Sequence, residues 1–349
     1  MPVVLPDSPK TLRCASFHSV KGGVGKSTLS YLVARLLAEE GPVVLVDADL
    51  TGTSLADVLP LRAPRWNGVG ADQILPLNLP PDEWSPCDLE CQHLANRASF
   101  PDGHLRVVPL LNDFLLWAKG RYDATTDVDP RALFWRLLED DPLVDSLFVI
   151  PSSALPNDLT QIMPLIYDEL HAAYLESRLE WLLHWILEKT DVRTVVFDTP
   201  PTIPGLSRAV LSMAMRLPEY VDLAVDGGTP RELTKEYTER INWTPFLVVT
   251  PDIQDLRAAE RWLEGPDNPD IDRIQVVLNR ATKSWNDLKQ ELPHKLSGGG
   301  DLARTLYEGK LLRSPLVVSS ASSLKIFRRD PHASDVASNV TPLVARMKR

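Results

Sequence analysis

Short apolar runs alternate with amphipathic stretches along much of this chain. The run at 11–20 reads TLRCASFHSV, and the segments 42–55 and 192–201 begin with the runs PVVLVD and VRTVVFD. Runs of this length, rich in β-branched residues, are typical of parallel strands buried on both faces. Residues 27–41 carry leucine and valine at helical spacing and end at a glycine. The pattern predicts a doubly wound α/β fold with a mostly parallel sheet and helices on both faces.

A glycine-rich loop joins the first predicted strand to the first predicted helix, with the sequence HSVKGGVGKSTLS over 18–30. Glycines let the backbone wrap around an anion, and the helix N-terminus adds partial positive charge. Lys26 can hold the β- and γ-phosphates of a nucleotide, and the Ser27 hydroxyl can ligate Mg²⁺. The predicted nucleotide-binding residues of this loop are Gly22, Gly23, Val24, Gly25, Lys26, Ser27 and Thr28.

Aspartates stand at the ends of two of the apolar runs. Asp47 and Asp49 end the run at 42–49, and Asp198 ends the run at 192–198. The carboxyl end of a parallel strand opens into the crevice where ligands bind in open α/β sheets. A carboxylate there can complete the magnesium shell of a bound nucleotide. We therefore expect Asp47 and Asp198 to hold Mg²⁺ or its waters.

Four segments, KGGVGKST, VDADL, DTPP and VVLNR, resemble in this order the ParA/MinD family of ATPases with a deviant Walker A motif. The resemblance covers residues 11–60 and 147–349. It places the family's signature lysine at Lys21, which would reach across an ATP-bound homodimer to the partner's phosphates. It implies that Asp49 positions the attacking water. The expected function is a slow, partner-stimulated ATPase that dimerises with ATP and positions or partitions DNA or a protein assembly.

One departure from the family keeps a second function open. Thr202 follows Pro201, where the family has a glycine whose N–H contacts the γ-phosphate. Gly205 could take that place after a local shift. The alternative is a weakly hydrolysing or non-hydrolysing ATP-dependent scaffold or regulator that acts through protein partners.

The base of the nucleotide is predicted from the segment that ends in Asn279 and Arg280. The Asn279 side chain can bond a purine edge. Guanine recognition in related loops uses an Asn-Lys-x-Asp pattern, and no aspartate follows in Asn279-Arg280-Ala281-Thr282. We therefore expect Asn279 and Arg280 to contact the nucleotide, and ATP with Mg²⁺ to be preferred to GTP.

The chain reads as a single domain over 1–349, with an inserted segment at 61–146. The segment is rich in proline and carries tryptophan at 66, 84, 117 and 135. It is either a partner-docking module, replaceable over 66–140 without loss of ATP binding, or a surface segment whose tryptophans pack onto the core. Its sequence CDLECQH leaves two alternatives: Cys87, Cys91 and His93 begin a metal site, or Cys87 and Cys91 share a buried helix face.

Composition narrows the remaining partners and the location. Three cysteines in 349 residues indicate no disulfide framework, and the first residues show no signal-peptide pattern, so a cytoplasmic location is expected. Residues 301–349 hold nine basic and four acidic residues, a net charge of +5. This region either binds DNA nonspecifically or ends in a helix packed on the core. Pro342 and the lack of an aromatic anchor argue against membrane binding.

Overall fold

The computed structural model describes the chain in parts. These are residues 10–50, 109–116, 130–138, 140–153, 156–201, 205–215, 239–263, 273–281, 286–288, 315–318 and 339–348, with positions 55, 59, 61–62, 64 and 128. The predictions for Thr202, Cys87, Cys91, His93, Trp66, Trp84 and Trp117 lie outside these residues.

Nine strands of the described residues form one sheet in the order β3-β4-β5-β2-β6-β1-β7-β8-β9. The strands are β1 (Leu12–His18), β2 (Val43–Asp47), β3 (Leu61–Arg62), β4 (Trp135–Leu137), β5 (Leu147–Ile150), β6 (Thr194–Asp198), β7 (Ile241–Val249), β8 (Gln275–Leu278) and β9 (Leu316–Val317).

The sheet is parallel from β5 to β9, and the short strands β3 and β4 extend its edge in antiparallel pairing. Strands β2 and β6 are buried along their whole length, as their apolar sequences predict. Their register pairs Asp47 with Asp198, while Phe17 of β1 pairs with Asp198 from the other side. The Asp47 and Asp198 carboxylates therefore stand at the carboxyl ends of their strands, beside the end of β1.

Seven α-helices of the described residues accompany the sheet. They are α1 (Lys26–Ala38), α2 (Leu111–Leu116), α3 (Pro156–Tyr167), α4 (Ala172–Lys189), α5 (Leu206–Met215), α6 (Ile253–Leu263) and α7 (Thr341–Met347). One apolar cluster joins α1 and α7 to the sheet, and another joins α4 and α5 to it through the opposite side chains of β1 and β2. Helices thus cover both faces, which confirms the predicted doubly wound P-loop NTPase-like fold.

Helix α2 and most of strand β4 in the segment 61–146 are buried, which supports the alternative that this segment packs onto the core; the replaceable docking module stays a prediction. Every residue of α2 is buried, and Trp135 of β4 has no exposed surface. The Asn112 amide exchanges two hydrogen bonds with the Ser153 backbone, at 2.8 and 3.1 Å. The Arg178 guanidinium stacks 4.3 Å from the Phe114 ring and donates to its carbonyl. A linker in place of 66–140 would remove these contacts, and Trp135 is not a docking anchor.

The last described helix packs on the core. Leu343, Val344 and Met347 of α7 are buried against the cluster that contains α1, and Lys348 pairs with Glu40. Because this apolar face is already covered, it offers no surface to a bilayer. Within the described ranges, no helix combines the length and apolarity needed to span a membrane.

Candidate functional site

The phosphate loop lies between the end of β1 and the start of α1. Gly23 and Gly25 have φ angles of 76° and 92°, a backbone region that suits glycine. Gly25 is the N-cap of α1, so the first amides of this helix face the loop. An added Cβ at Gly22 would lie 3.7 Å from Pro201 Cγ, which puts the loop beside the segment that follows Asp198.

A long-range hydrogen bond fixes the loop from the β8 side. Asn279 follows β8, is buried, and donates from Nδ2 to the Val24 carbonyl across 2.7 Å. A Cβ added to Gly25 would lie 2.5 Å from the same nitrogen, so any larger residue would collide with the amide. Asn279 therefore supports the loop backbone, a role that its sequence position did not predict. Its contact with a purine edge stays a prediction, as does that of the exposed Arg280, whose φ is 58°.

Asp198 is a buried acid beside the loop with a strongly raised pKa. Its side chain is fully buried, and neither carboxylate oxygen accepts a hydrogen bond of good geometry from the described residues. Burial raises its pKa to about 8, while the charge of Lys26 and the Ser27 hydroxyl work in the opposite direction. A buried carboxyl beside a hydroxyl and an ammonium group is arranged to receive a cation or to remain protonated.

Mg²⁺ is the metal that this kind of site implies, and the residues present fit it. Asp198 offers two buried oxygens that accept no hydrogen bond of good geometry from the described residues, and Ser27 offers a hydroxyl nearby. Mg²⁺ is usually bound through one or two protein oxygens, with waters and substrate phosphates completing its shell. No group of three or more His, Cys, Asp or Glu side chains gathers to form a metal cage in the part of the chain described. The site thus suits a metal that arrives with a nucleotide.

Asp47 and Asp49 lie at the same edge with different surroundings. Asp47 is fully buried, and its Oδ2 accepts hydrogen bonds from the Leu55 amide at 2.8 Å and the Ser152 hydroxyl at 2.9 Å. It therefore anchors the chain that follows β2 as well as facing Asp198. Asp49 is 8% exposed, so water can reach it. Both positions agree with the expected roles, which remain predictions.

Lys21 is half-buried at the start of the loop, and its carbonyl accepts a 2.7 Å hydrogen bond from the Ser19 hydroxyl. Its charge acts on Asp255 in the first turn of α6. Burial raises the pKa of Asp255, and hydrogen bonds from Thr250 and the charge of Lys21 lower it. Lys21 therefore lies close enough to the start of α6 for its charge to act on Asp255.

Sequence reasoning missed a buried polar network behind the loop. His18 Nε2 lies 2.8 Å from Ser16 Oγ, and its Nδ1 lies 3.2 Å from Ser207 Oγ and 3.3 Å from Thr199 Oγ1. Burial and the charge of Lys26 lower the pKa of His18 to about 3. The signal was present in β1, where polar residues at positions 16 and 18 interrupt an apolar run on one face.

The strand–loop–helix unit with Asp198 at the neighbouring strand end defines a P-loop NTPase-like fold. Residues 13–82 match the family model described as ParA: NUBPL iron-transfer P-loop NTPase. This match includes the loop and the strand that carries Asp47, and it confirms the resemblance to ParA-type ATPases predicted from the sequence. Among curated proteins, none matches the chain.

Several solved structures align with this chain at low identity and TM-scores below 0.5. MinD cell division protein of Aquifex aeolicus is 17% identical, with 96% of this chain and 97% of that chain covered and a TM-score of 0.47. A Cyanothece McdA–ATP complex is 14% identical, covers 97% and 96%, and has a TM-score of 0.48. A plasmid partition protein from Borrelia burgdorferi is 13% identical, covers 97% and 99%, and has a TM-score of 0.45. Identities and TM-scores of this size do not show which nucleotide, partner or cargo this chain binds.

Proposed function

We propose that this protein is an ATP-binding, ATP-hydrolysing switch of the ParA/MinD type that forms a homodimer with ATP. The observation that carries the proposal is the Asp198 carboxyl, which is fully buried, accepts no hydrogen bond of good geometry from the described residues, and stands beside Lys26 and the Ser27 hydroxyl. A buried acid of this kind is costly to the fold unless a ligand uses it. Mg²⁺ with a nucleotide triphosphate is the ligand that the phosphate loop and this acid fit together.

The residues of one subunit divide the binding work. The loop amides between Gly22 and Ser27 face the phosphates, and Lys26 neutralises their charge in its own subunit. Ser27 and Asp198 would hold Mg²⁺, which would neutralise part of the charge of the phosphates. Asp47 faces Asp198 and fixes the chain after β2, so it keeps the acidic edge in register.

Hydrolysis and dimerisation use residues with more access to solvent. Asp49 orients the attacking water, and its small exposure supports that role. Lys21 acts on the phosphates of the partner subunit and completes the partner's site only in the dimer, as an arginine finger does elsewhere. Lys21 is half-buried whereas Lys26 is buried, and this difference in exposure supports the division of the two lysines.

Light scattering with three variants tests this division of labour. The Lys21→Ala variant is expected to bind ATP and stay monomeric, because it lacks the group that reaches across. The Lys26→Ala variant is expected to lose ATP binding, and Asp49→Ala to remain dimeric because its ATP stays intact. A Lys21→Ala protein that dimerises with ATP as the wild type does would rule out the role of Lys21 in trans.

A specific contact favours a second candidate, an ATP-dependent scaffold with little or no hydrolysis. Gly205 has a φ of 65°, and a Cβ added there would lie 1.2 Å from the Ile166 carbonyl oxygen. A glycine packed this closely against α3 is poorly placed to shift towards a γ-phosphate in place of the missing family glycine at position 202. ATP-driven dimerisation without measurable phosphate release, with and without added DNA, would support the scaffold.

The positive charge of residues 301–349 supports DNA as a partner of this chain. Arg346 is exposed on α7 while the apolar face of that helix is buried, and residues 301–349 carry a net charge of +5. Such a surface would bind phosphates without base specificity. We expect the affinity for DNA to depend on ATP and to fall with salt, at a log–log slope of about −0.9 per phosphate contact. A salt-independent affinity would exclude DNA binding through phosphate contacts.

A further inference from the structure

Four polar side chains lie in the apolar interior directly behind the phosphate loop. Ser16 and His18 come from β1, Thr199 follows β6, and Ser207 lies in the first turn of α5; the side chains of the first two point to the α5 side of the sheet. Each is buried at 1% exposure or less. Polar groups in such a place lower stability unless they are hydrogen-bonded, so apolar residues would serve the fold as well.

The network joins elements that carry different parts of the proposed site. His18 is the last residue of β1 before the loop, and Thr199 is the residue next to Asp198. The Thr199 hydroxyl donates to the Phe17 carbonyl at 2.7 Å, and the Thr199 amide reaches the same oxygen at 3.3 Å. Thr199 is thus held by β1 through its backbone and its side chain. The Nδ1 atom of His18 lies 3.3 Å from the same Thr199 hydroxyl.

His18 is not itself placed to move protons in the reaction. Burial and the charge of Lys26 lower its pKa to about 3, so the ring is neutral at physiological pH. A neutral imidazole has one donor and one acceptor nitrogen. These two nitrogens are engaged by Ser16 on one side and by Thr199 and Ser207 on the other.

We infer that His18 is a positioning residue for the metal-binding edge of the site: through Thr199 and Ser207 it fixes Asp198 and the start of α5 relative to the phosphate loop. The inference rests on the proposed function, since it concerns the Mg²⁺ that would arrive with the nucleotide. Its consequence is specific. Loss of the imidazole leaves the loop, Lys26 and the bonds of Thr199 to Phe17 in place, but it removes the support that the Thr199 and Ser207 hydroxyls receive from behind. The residue next to Asp198 is then held less firmly, so the part of nucleotide affinity that Mg²⁺ contributes falls.

The experiment compares two substitutions of His18 with the wild type. The dissociation constant of a fluorescent ATP analogue is measured in excess EDTA and in excess Mg²⁺. The value in EDTA divided by the value in Mg²⁺ is the ratio that gives the Mg²⁺ contribution to affinity. His18→Leu is expected to lower this ratio about 2- to 10-fold, the range of a lost net hydrogen bond, with little change in EDTA. His18→Gln keeps an amide donor and acceptor and is expected to retain most of the ratio.

A matched control separates positioning from general loss of packing. Cys14 is buried on the same face of β1 but lies outside the network. Cys14→Ala should lower the melting temperature while leaving the ratio unchanged. If His18→Leu lowers only the melting temperature, as Cys14→Ala does, the positioning role is wrong.

Ser207→Ala keeps the inference testable if His18→Leu does not fold. It removes one contact of His18 from α5 and should lower the ratio in the same direction by a smaller factor. Because both residues act through one network, their effects should be less than additive in the double variant, whereas full additivity would contradict the network. A wild-type ratio of one would instead refute Mg²⁺-dependent nucleotide binding, and with it the proposed function.

Discussion

Asn279 and Val24 are joined by a buried hydrogen bond of 2.7 Å from the side-chain amide to the backbone carbonyl. The two residues are 255 positions apart in the sequence. The bond ties the end of β8 to the middle of the phosphate loop, and Gly25 beside it has no room for a side chain. The shape of the loop therefore depends on a residue that follows β8, two strands away from β1 in the sheet.

Replacement of Asn279 distinguishes loop support from base recognition. Asn279→Ala is expected to weaken ATP and GTP binding alike, about 2- to 10-fold for one lost hydrogen bond. The control is Asn242→Ala, the same substitution at an exposed position near the start of β7. Titration with both nucleotides checks the result. If Asn279→Ala removes the preference for ATP and leaves GTP affinity unchanged, the amide reads the base instead.

The raised pKa of Asp198 predicts an unusual pH dependence for the protein without nucleotide or metal. The folded-state pKa is about 8, against about 3.9 for an Asp side chain in an unfolded chain, so the folded state holds an extra proton between these values. The stabilising effect of protonation is complete below about pH 4 and is lost as the pH rises towards 8. In EDTA, the free energy of unfolding of Asp198→Asn should change less with pH than that of the wild type, by up to about 1.4 kcal/mol per pH unit. Urea unfolding between pH 6 and 8 measures this, and identical slopes would refute the shift.

Gly205 is expected to tolerate no side chain. Gly205→Ala places a Cβ against the Ile166 carbonyl and imposes a positive φ, so unfolding should become easier by at least about 1–3 kcal/mol. Gly41→Ala is the matched control, because an added Cβ there meets nothing within 4 Å. Thermal melting of both variants checks the prediction. Equal melting temperatures would show that α3 and α5 do not meet as described.

The buried helix α2 should behave as core. Phe114→Ala removes a fully buried ring that stacks on Trp181 and Arg178, and is expected to cost about 3–5 kcal/mol. Leu170→Ala serves as control, since Leu170 is 88% exposed and its loss should change stability by less than about 0.5 kcal/mol. Denaturant unfolding compares them. A Phe114→Ala protein as stable as the control would favour 61–146 as a separable module.

Local sequence signals were enough to predict the phosphate loop and the two acid-bearing strands. Glycine at 23 and 25 and the helix from Lys26 depend on neighbouring residues, so the pattern predicts them directly. The pairing of Asp47 with Asp198 follows because two buried parallel strands bring their carboxyl ends to one edge.

Contacts between distant segments could not be predicted in this way. The bond from Asn279 to Val24 needs the order of the strands, which a single sequence does not reveal. The burial of α2 depends on Ser153 and Arg178 from other elements, whereas the proline-rich segment that contains this helix suggests a surface position. His18 was visible as a polar residue in an apolar run, but its partners on α5 were not.

Calorimetric titration of Mg·ATP tests most directly the central claim that the loop at 19–27 and Asp198 form a magnesium–nucleotide site. The wild type should bind one nucleotide per chain, and Lys26→Ala should weaken binding by at least about tenfold, as expected for a lost hydrogen bond to a charged group. Lys348→Ala, which removes the same charge from an exposed pair with Glu40, should leave the affinity unchanged. Undetectable binding to the wild type, or equal affinities for all three proteins, would contradict the claim.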